Sequence, residues 1–366
     1  NRYRKATSSE AALEPYFAAA AFDIQQETER VLTHLATELK QRTGAKYLCI
    51  AGGVGLNSVS NKIILDTAGF EDVYIFPACS DAGIPFGLVL WGYHTLEKLG
   101  SFSRKSLHFP HAYTGKSYPE TGIRDTLDKY GLRHRPLDLK EAARLLTEGR
   151  IIGWFNGGSE YGPRALGNRS ILADPRRPDI KDILNLRIKH REPFRPYAPA
   201  ILEDRVSEYF DLDRPSPYML LIAKVTQPDV IPGVTHVDGT ARIQTVNPDQ
   251  NETLYRLIQE FDKLTGVPVL LNTSFNDAGE PIVESPEDAI INFLSSEMDH
   301  LVLEGLLLDT ADNRHVDVAA MINAREDLIA ENRARLLQGF CPQYDNAERD
   351  RYIAETNKMA EWHAKY

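Results

Sequence analysis

The chain has 366 residues, with 42 lysines and arginines against 52 aspartates and glutamates, and a formal net charge of -10. Because phosphate backbones select basic surfaces, this balance argues against a nucleic-acid partner, and no stretch reads as a membrane span. The length predicts two domains and an extension, and three cysteines without CxxC spacing indicate a reducing cytoplasm and exclude a zinc ribbon.

A long helix opens the chain in this interpretation. Apolar residues at positions 24, 31, 35 and 39 recur at helical spacing, which predicts a helix over residues 18–42 that Gly44 can close and that packs on a sheet. A strand over residues 46–50, a glycine turn and a helix over residues 58–67 follow, and then a second strand over residues 73–76.

The glycine turn resembles the first half of a dinucleotide-binding fingerprint. Gly53 and Gly55 have the required spacing, but Ser58 stands where the third glycine belongs. Pro77 follows the second strand, where an acidic residue would hold the ribose. A nicotinamide cofactor is therefore not expected.

Two basic loops form the most informative part of the sequence. Residues 106–137 lack periodicity and read as a connection, and a helix over residues 138–148 and a strand over residues 151–155 follow. Arg164 and Arg169 then lie on a loop that we expect to lead directly into a helix over residues 179–187. A second loop carries Lys189, Arg191 and Arg195.

These loops predict an anion cradle. Loops between strands and helices expose backbone N–H groups, and arginine supplies a planar pair of donors that fits phosphate. The alternative is that the arginines form structural ion pairs with Glu160, Asp174 or Glu192.

Two segments farther along carry more candidates. A strand over residues 267–272 delivers Ser274 and Asn276 to a loop, where they either bind phosphate or cap a turn. His236 and Arg242 flank a turn, and His236 is either a catalyst or a hydrogen-bonded structural histidine.

Four motifs give the chain a family resemblance. They are LCIAGGVGLN at residues 48–57, GPRALGNRSILADPR at residues 162–176, HVDGTARIQ at residues 236–244 and PVLLNTSFN at residues 268–276. In this order they resemble the NodU/CmcH-type O-carbamoyltransferase family, and the resemblance covers roughly residues 15–310.

The resemblance implies an α/β fold. Residues 1–105 resemble the C-terminal lobe of an actin and sugar-kinase-like domain, and residues 106–137 form the connection. Residues 138–310 resemble a YrdC-like α/β domain, and residues 311–366 form a helical tail with helices over residues 319–337 and 347–362.

The same resemblance implies that the second domain forms carbamoyl adenylate from carbamoyl phosphate and ATP with Mg²⁺. The implied catalytic residues are Arg164, Arg195 and His236. The residues implied to bind carbamoyl phosphate and ATP are Arg164, Arg169, Lys189, Arg191, Arg195, Arg242, Ser274 and Asn276.

The first domain would then transfer the carbamoyl group to a hydroxyl of a small-molecule acceptor. Its implied nucleotide-binding residues are Gly52, Gly53, Asn57 and Asn61, and Asp81 matches the family's ligand for a divalent metal such as Fe²⁺ or Mn²⁺. In the family two upstream histidines of an HxxxH motif hold the same metal, and this chain has no such pair. We therefore expect that an N-terminal segment of the protein is missing, and we expect His108 and His111 to be ordinary surface histidines.

Other functions remain alternatives. One is a nucleotide-binding regulatory subunit without turnover, which the missing histidines favour. The others are the carbamoylating enzymes of hydrogenase maturation and of tRNA modification, which the lack of CxxC motifs and of a basic surface opposes. We further expect a cytoplasmic protein with no membrane or nucleic-acid partner, and a homodimer is one further expectation.

Overall fold

The computed structural model describes residues 13–100, 109–327 and 330. Residues up to Val316 belong to one compact unit, and those from Asp317 onward belong to a second. The helices of the first unit are α1 Pro15–Thr43, α2 Ser58–Thr67, α3 Ile84–Lys98, α4 Glu120–Lys129, α5 Leu139–Thr147, α6 Ile180–Ile183, α7 Val206–Tyr209, α8 Glu252–Thr265, α9 Pro286–Ser295 and α10 Thr310–Asn313. The strands are β1 Tyr47–Ile50, β2 Asp72–Ile75, β3 Arg135–Pro136, β4 Ile152–Phe155, β5 Arg169–Ala173, β6 Ala198–Leu202, β7 Ile222–Lys224, β8 Thr240–Arg242, β9 Gln244–Val246, β10 Val269–Ser274, β11 His300–Leu303 and β12 Leu306–Asp309.

Eight strands form the large sheet, in the order β3-β12-β11-β4-β5-β10-β6-β9. The pairs β4–β11 and β6–β9 are parallel and the other neighbours are antiparallel, so the sheet is mixed. Strands β4, β5 and β6 are buried at every position, which explains the continuous apolar runs of β4 and β6. The predicted α/β class is confirmed at this level.

The Arg164 loop differs from the prediction in where it leads. It was expected to run directly into a helix, but Arg169 begins strand β5, which pairs antiparallel with β4. The reason is the run Ser170–Ala173, whose side chains are all buried within the sheet. The helix expected over residues 179–187 follows β5 at nearly the expected position, as α6 and then a π-helical turn Leu184–Ile188.

The N-terminal region matches the predicted elements but not the predicted packing. Helix α1 ends where Gly44 adopts the left-handed conformation (φ 63°), and strands β1 and β2 pair in parallel. However, Ile24 and Leu35 of the expected buried stripe are 68% and 58% exposed, and Ala36 is the buried residue of the helix. The expected stripe is therefore not the buried face, although α1 itself does pack against the strand pair, because Ala36 shares a core cluster with Leu48 of β1.

Helix α3 is also incompletely covered. Leu88, Val89 and Trp91 are 62–70% exposed, although this helix is strongly apolar. A parallel strand pair such as β1–β2 is ordinarily buried on both faces. The N-terminal region thus exposes more apolar surface than a self-sufficient fold does.

Among the described residues, hydrogen bonds connect the N-terminal region, residues 13–100, to the rest of the first unit. The Asn61 amide donates to the carbonyl of Leu220 at 3.0 Å, and the Tyr161 hydroxyl donates to the carbonyl of Ala82 at 2.6 Å. Arg214 donates to the carboxylate of Asp72 at 2.7 Å. These contacts hold the two predicted regions together, and the boundaries at residues 105 and 138 stay predictions.

The predicted tail helices lie largely outside the described residues. In the second unit residues 318–327 are helical, and the helix predicted over residues 347–362 is not among the described residues. Across the described ranges, none of the helices combines the length and apolar content required to cross a membrane.

Candidate anion-binding site

Glu160 shapes the loop that carries Arg164. One carboxylate oxygen, Oε1, accepts hydrogen bonds from the backbone N–H groups of Leu166 at 2.6 Å, Asn168 at 2.8 Å and Arg169 at 3.3 Å. Burial raises the pKa of Glu160, and the three N–H donors act in the opposite direction. Glu160 thus binds the loop backbone rather than the Arg164 side chain.

Arg169 lies under the same loop and is fully buried. Its Nη1 donates to the carbonyls of Asn156, Gly157 and Asn168 at 3.0–3.1 Å, and its Nη2 donates to the carbonyl of Lys116 at 3.0 Å. The guanidinium also lies 3.6 Å from the ring centroid of Phe155. Direct contact with a ligand, as predicted from the motif, would require these bonds to be exchanged.

Three other arginines form a cationic cluster: Arg164, Arg191 and Arg242. Burial and the nearby charges of Arg164 and Arg191 lower the pKa of Arg242 to about 9, and burial lowers the pKa of Arg164. Among the described residues, the side chains of Arg164 and Arg242 have no hydrogen-bond or ion-pair partner, and the buried Nε of each is unpaired. Like charges gathered without an acceptor make this cluster the candidate site for an anion.

Arg191 is held in place within this cluster. Its Nε donates to Oδ1 of Asn185 at 2.8 Å, and its guanidinium lies 4.7 Å from the ring centroid of Tyr197. The Tyr197 hydroxyl donates to the same Asn185 oxygen at 2.7 Å. Because these contacts use Nε and one face of the guanidinium, a ligand would be bound through its terminal nitrogens.

Lys189 contacts both of the predicted phosphate-binding residues Ser274 and Asn276. Its ammonium nitrogen lies 2.6–3.3 Å from four oxygens, namely the carbonyl and side-chain oxygens of Ser274 and Asn276. Burial and the charge of Arg191 lower the pKa of Lys189 to about 7, whereas the four acceptors favour the ammonium form. The expectation that Ser274 lies on a loop is wrong, because strand β10 extends through it.

His236 and Arg195 occupy different environments. Burial lowers the pKa of His236 and so favours the neutral ring, and its Nδ1 lies 3.2 Å from Oγ1 of Thr240. Arg195 has a side chain that is 51% exposed and forms an ion pair with Glu192 at 2.8 Å. For Arg195, the structure therefore has the ion pair that was the alternative to a ligand site.

The predicted nucleotide-binding residues lie around the turn after β1. Gly52 has φ 101°, and a side chain at Gly52 or Gly53 would meet no atom within 4 Å, so the backbone is open to a ligand there. Asn57 caps α2 by accepting from the N–H of Ser60. Asn61 is buried, and its amide donates to the carbonyls of Gly55 and Leu220.

Asp81 begins the short helical turn Asp81–Gly83 and is exposed. In the part of the chain that the structure describes, no group of three or more His, Cys, Asp or Glu side chains could hold a metal ion. Of the two histidines expected to lie on the surface, His111 is partly buried and His108 lies outside the described residues. Asp81 alone does not fit a metal site, since a stable site needs several ligands.

Two side chains beneath the Arg164 loop have no role in the sequence-based predictions. Nδ2 of Asn272 donates to Oε1 of Gln244 at 2.7 Å and to the carbonyl of Ala165 at 3.4 Å. Nε2 of Gln244 donates to the carbonyl of Leu166 at 2.6 Å. The signal that identifies Asn272 is a polar side chain at the end of the otherwise apolar run 267–272, where an amide requires partners.

Comparison with known protein families identifies the family of the chain. The family model described as Carbamoyltransferase C-terminus matches residues 143–310, which include the arginine cluster, and the one described as Carbamoyltransferase N-terminus matches residues 4–90. The chain belongs to the carbamoyltransferase family. The resemblance inferred from the four motifs is thereby confirmed.

Several relatives of this carbamoyltransferase-family chain span more sequence than it does. An uncharacterized protein of Synechocystis is 40% identical, over 79% of this chain and 51% of that protein. Nodulation protein NolO of Bradyrhizobium diazoefficiens is 39% identical over 78% and 53%, and Nodulation protein U of Rhizobium fredii is 36% identical over 74% and 48%. The chain spans about half the length of the curated relatives it matches.

One solved structure is also similar, full-length HypF in its phosphate- and nucleotide-bound form. The match covers 49% of this chain and 22% of that chain at 17% identity, with a TM-score of 0.33. A likeness of this degree says nothing about function or about the arrangement of the domains.

Proposed function

We propose that the protein is an O-carbamoyltransferase that forms carbamoyl adenylate from carbamoyl phosphate and ATP with Mg²⁺, and transfers the carbamoyl group to a hydroxyl of a small-molecule acceptor. The observation that carries this proposal is the cluster of Arg164, Arg191 and Arg242, two of which have no described partner. Its position inside the segment that matches the carbamoyltransferase C-terminus connects the cluster to the family's chemistry.

The cluster suits a reaction between two anions. Water attacks the carbonyl carbon of carbamoyl phosphate and releases phosphate and carbamate. A carbamate oxygen then attacks the α-phosphorus of ATP, and pyrophosphate leaves with the electron pair of the broken P–O bond. Positive charges fixed around both reactants reduce their repulsion and stabilise the charge that develops on the departing phosphates.

Individual residues have distinct roles in this proposal. Arg164 and Arg242 bind phosphate oxygens, and Lys189 adds a charge beside Ser274 and Asn276. The lowered pKa of His236 favours the neutral ring, which can accept a proton from the attacking water. Arg195 is exposed, and we assign it to the rim of the site, where it attracts anions.

Transfer to the acceptor belongs to the N-terminal region in this proposal. The open backbone at Gly52 and Gly53 admits the nucleotide part of carbamoyl adenylate, and Asn57 and Asn61 support the turn. The acceptor hydroxyl then attacks the carbamoyl carbon and AMP leaves. Because Asp81 alone does not fit a metal site, no step is assigned to a metal here.

The exposed apolar side chains of α1 and α3 indicate a surface that another polypeptide covers. We propose that additional polypeptide covers them, either a further segment of the same protein or a second copy of this chain, as its longer relatives suggest. Light scattering on the chain and on the Trp91→Glu variant tests this, and a dimer that dissociates in the variant would identify the second copy. A monomer in which acrylamide cannot reach Trp91 would contradict both occupants.

One observation favours a second candidate function, a nucleotide-binding subunit without turnover. It is that Asp81 belongs to no group of three or more His, Cys, Asp or Glu side chains that could hold a metal ion among the described residues. This candidate and the carbamoyltransferase share the anion site and differ in whether a product forms.

Mass spectrometry distinguishes the two. The 366-residue chain is mixed with ATP, Mg²⁺ and carbamoyl phosphate without an acceptor, and we expect carbamoyl adenylate and pyrophosphate to accumulate. Arg164→Ala should reduce their formation by about two orders of magnitude, because it removes a charge-assisted contact to the reacting phosphates. ATP binding without either product would refute the activating role and favour the subunit.

A further inference from the structure

The side-chain amides of Gln244 and Asn272 form a hydrogen-bonded chain beneath the Arg164 loop, and the donor and acceptor of each bond can be assigned. A carbonyl oxygen only accepts hydrogen bonds, so Gln244 must present its NH₂ group to the carbonyl of Leu166 at 2.6 Å. Oε1 of Gln244 then faces Asn272, which must present its own NH₂ group at 2.7 Å. The two amide orientations are thus determined by a backbone carbonyl.

With the amides in these orientations, one buried acceptor, Oδ1 of Asn272, has no hydrogen-bond donor in the described part of the chain. Asn272 is 1% exposed, and its Oδ1 has no hydrogen-bond partner among the described residues. An orphaned acceptor of this kind is costly in a folded protein, and most such groups are paired. Turning the amide around would pair Oδ1 with neither neighbour, since both Gln244 Oε1 and the Ala165 carbonyl are acceptors.

Asn272, which carries the unpaired oxygen, lies next to the residues of the candidate anion site. Asn272 contacts the carbonyl of Ala165, the residue next to Arg164. It lies two residues before Ser274 on β10, so both side chains point to the same face of the sheet, where Ser274 contacts Lys189. Gln244, the other member of the amide chain, lies two residues after Arg242.

We propose that Oδ1 of Asn272 accepts a hydrogen bond from the amino group of the carbamoyl substrate, and so determines specificity for a carbamoyl over an acetyl group. The inference rests on the proposed function, which places carbamoyl phosphate at this site. Arginine and lysine bind the phosphate but cannot recognise an N–H group, because they have no acceptor. A buried acceptor left unpaired by a methyl group discriminates strongly against the methyl analogue.

Two stable phosphonates test this inference without turnover. Phosphonoacetamide carries the amide next to the phosphonate, and 2-oxopropylphosphonate has a methyl group in place of the NH₂. We expect calorimetric titration of the 366-residue chain to show about ten- to a hundredfold tighter binding of the amide. In Asn272→Leu this preference should disappear, because the acceptor is gone while the cationic cluster remains.

Gln244→Leu is the matched control. It removes the bond to the Leu166 carbonyl but keeps Oδ1 of Asn272, so both ligands should bind more weakly and the preference should survive. Asn272→Ala removes the same acceptor with a smaller side chain and should also abolish the preference, which covers the case in which Asn272→Leu does not fold. Equal binding of the two ligands by the unaltered chain, or a preference that persists in Asn272→Leu, would overturn this inference and leave the anion site standing. Binding of neither ligand would overturn the proposed function as well.

Discussion

Replacing Arg242 with methionine is expected to weaken ATP and carbamoyl phosphate binding by about a hundredfold, while raising the free energy of unfolding of the unliganded protein by about 1–2 kcal/mol. The side chain is held near Arg164 and Arg191, its pKa is lowered to about 9, and it has no described hydrogen-bond partner. Methionine fills a similar volume without the cost of a desolvated charge. Function and stability should therefore change in opposite directions.

Calorimetric titration with ATP and thermal unfolding of the same samples measure both effects. Arg256 is the matched control, because its exposed guanidinium pairs with Glu252 one helical turn away on α8. Arg256→Met should change the free energy of unfolding by less than about 0.5 kcal/mol and leave ligand binding unaltered. A lower melting temperature for Arg242→Met would show that Arg242 supports the fold and is not poised for an anion.

The N-terminal elements show what sequence patterns determine and what they leave open. The helix predicted over residues 18–42 and the glycine that ends it agree closely with α1 and Gly44, because helical period and capping are local properties. Which face of α1 is buried depends on what else packs there, and Leu35 proves exposed. Periodicity locates an apolar stripe but not its partner.

The site shows the same division between local and tertiary information. The basic loops predict the residues of an anion site, and the structure places Arg164 and Arg191 near Arg242, while their binding role stays a prediction. The motif does not separate Arg169 from them, because its burial follows from the pairing of β5 with β4. Asn272 went unassigned for a related reason, since its unpaired oxygen is defined by contacts with loops distant in sequence.

Replacing Arg169 with methionine is expected to lower the free energy of unfolding by about 3–5 kcal/mol. Its guanidinium is fully buried and bonded to four carbonyls, three of them through Nη1, and it stacks on Phe155. Methionine restores the packed volume but leaves these carbonyls without their donors. Urea denaturation measures this loss of unfolding free energy, and we expect its dependence on urea concentration to keep the same slope.

Arg169→Lys separates charge from geometry in this prediction. Lysine keeps the positive charge, but its single ammonium has three donors and lacks the planar fork that reaches carbonyls on both sides. The variant should therefore recover part of the lost stability and remain less stable than the unaltered protein. Full recovery would indicate that the positive charge near Glu160 matters more than the four carbonyl contacts.

The two methionine substitutions should thus change the free energy of unfolding in opposite directions, although Arg169 and Arg242 belong to motifs of the same family. Removal of Arg242 should release a charge that has no described partner, whereas removal of Arg169 should leave backbone acceptors unpaired. If Arg169→Met instead retained its stability and lost only ligand binding, Arg169 would belong to the anion cradle, as its motif predicts. Its bonds to the carbonyls would then be exchanged when the ligand binds.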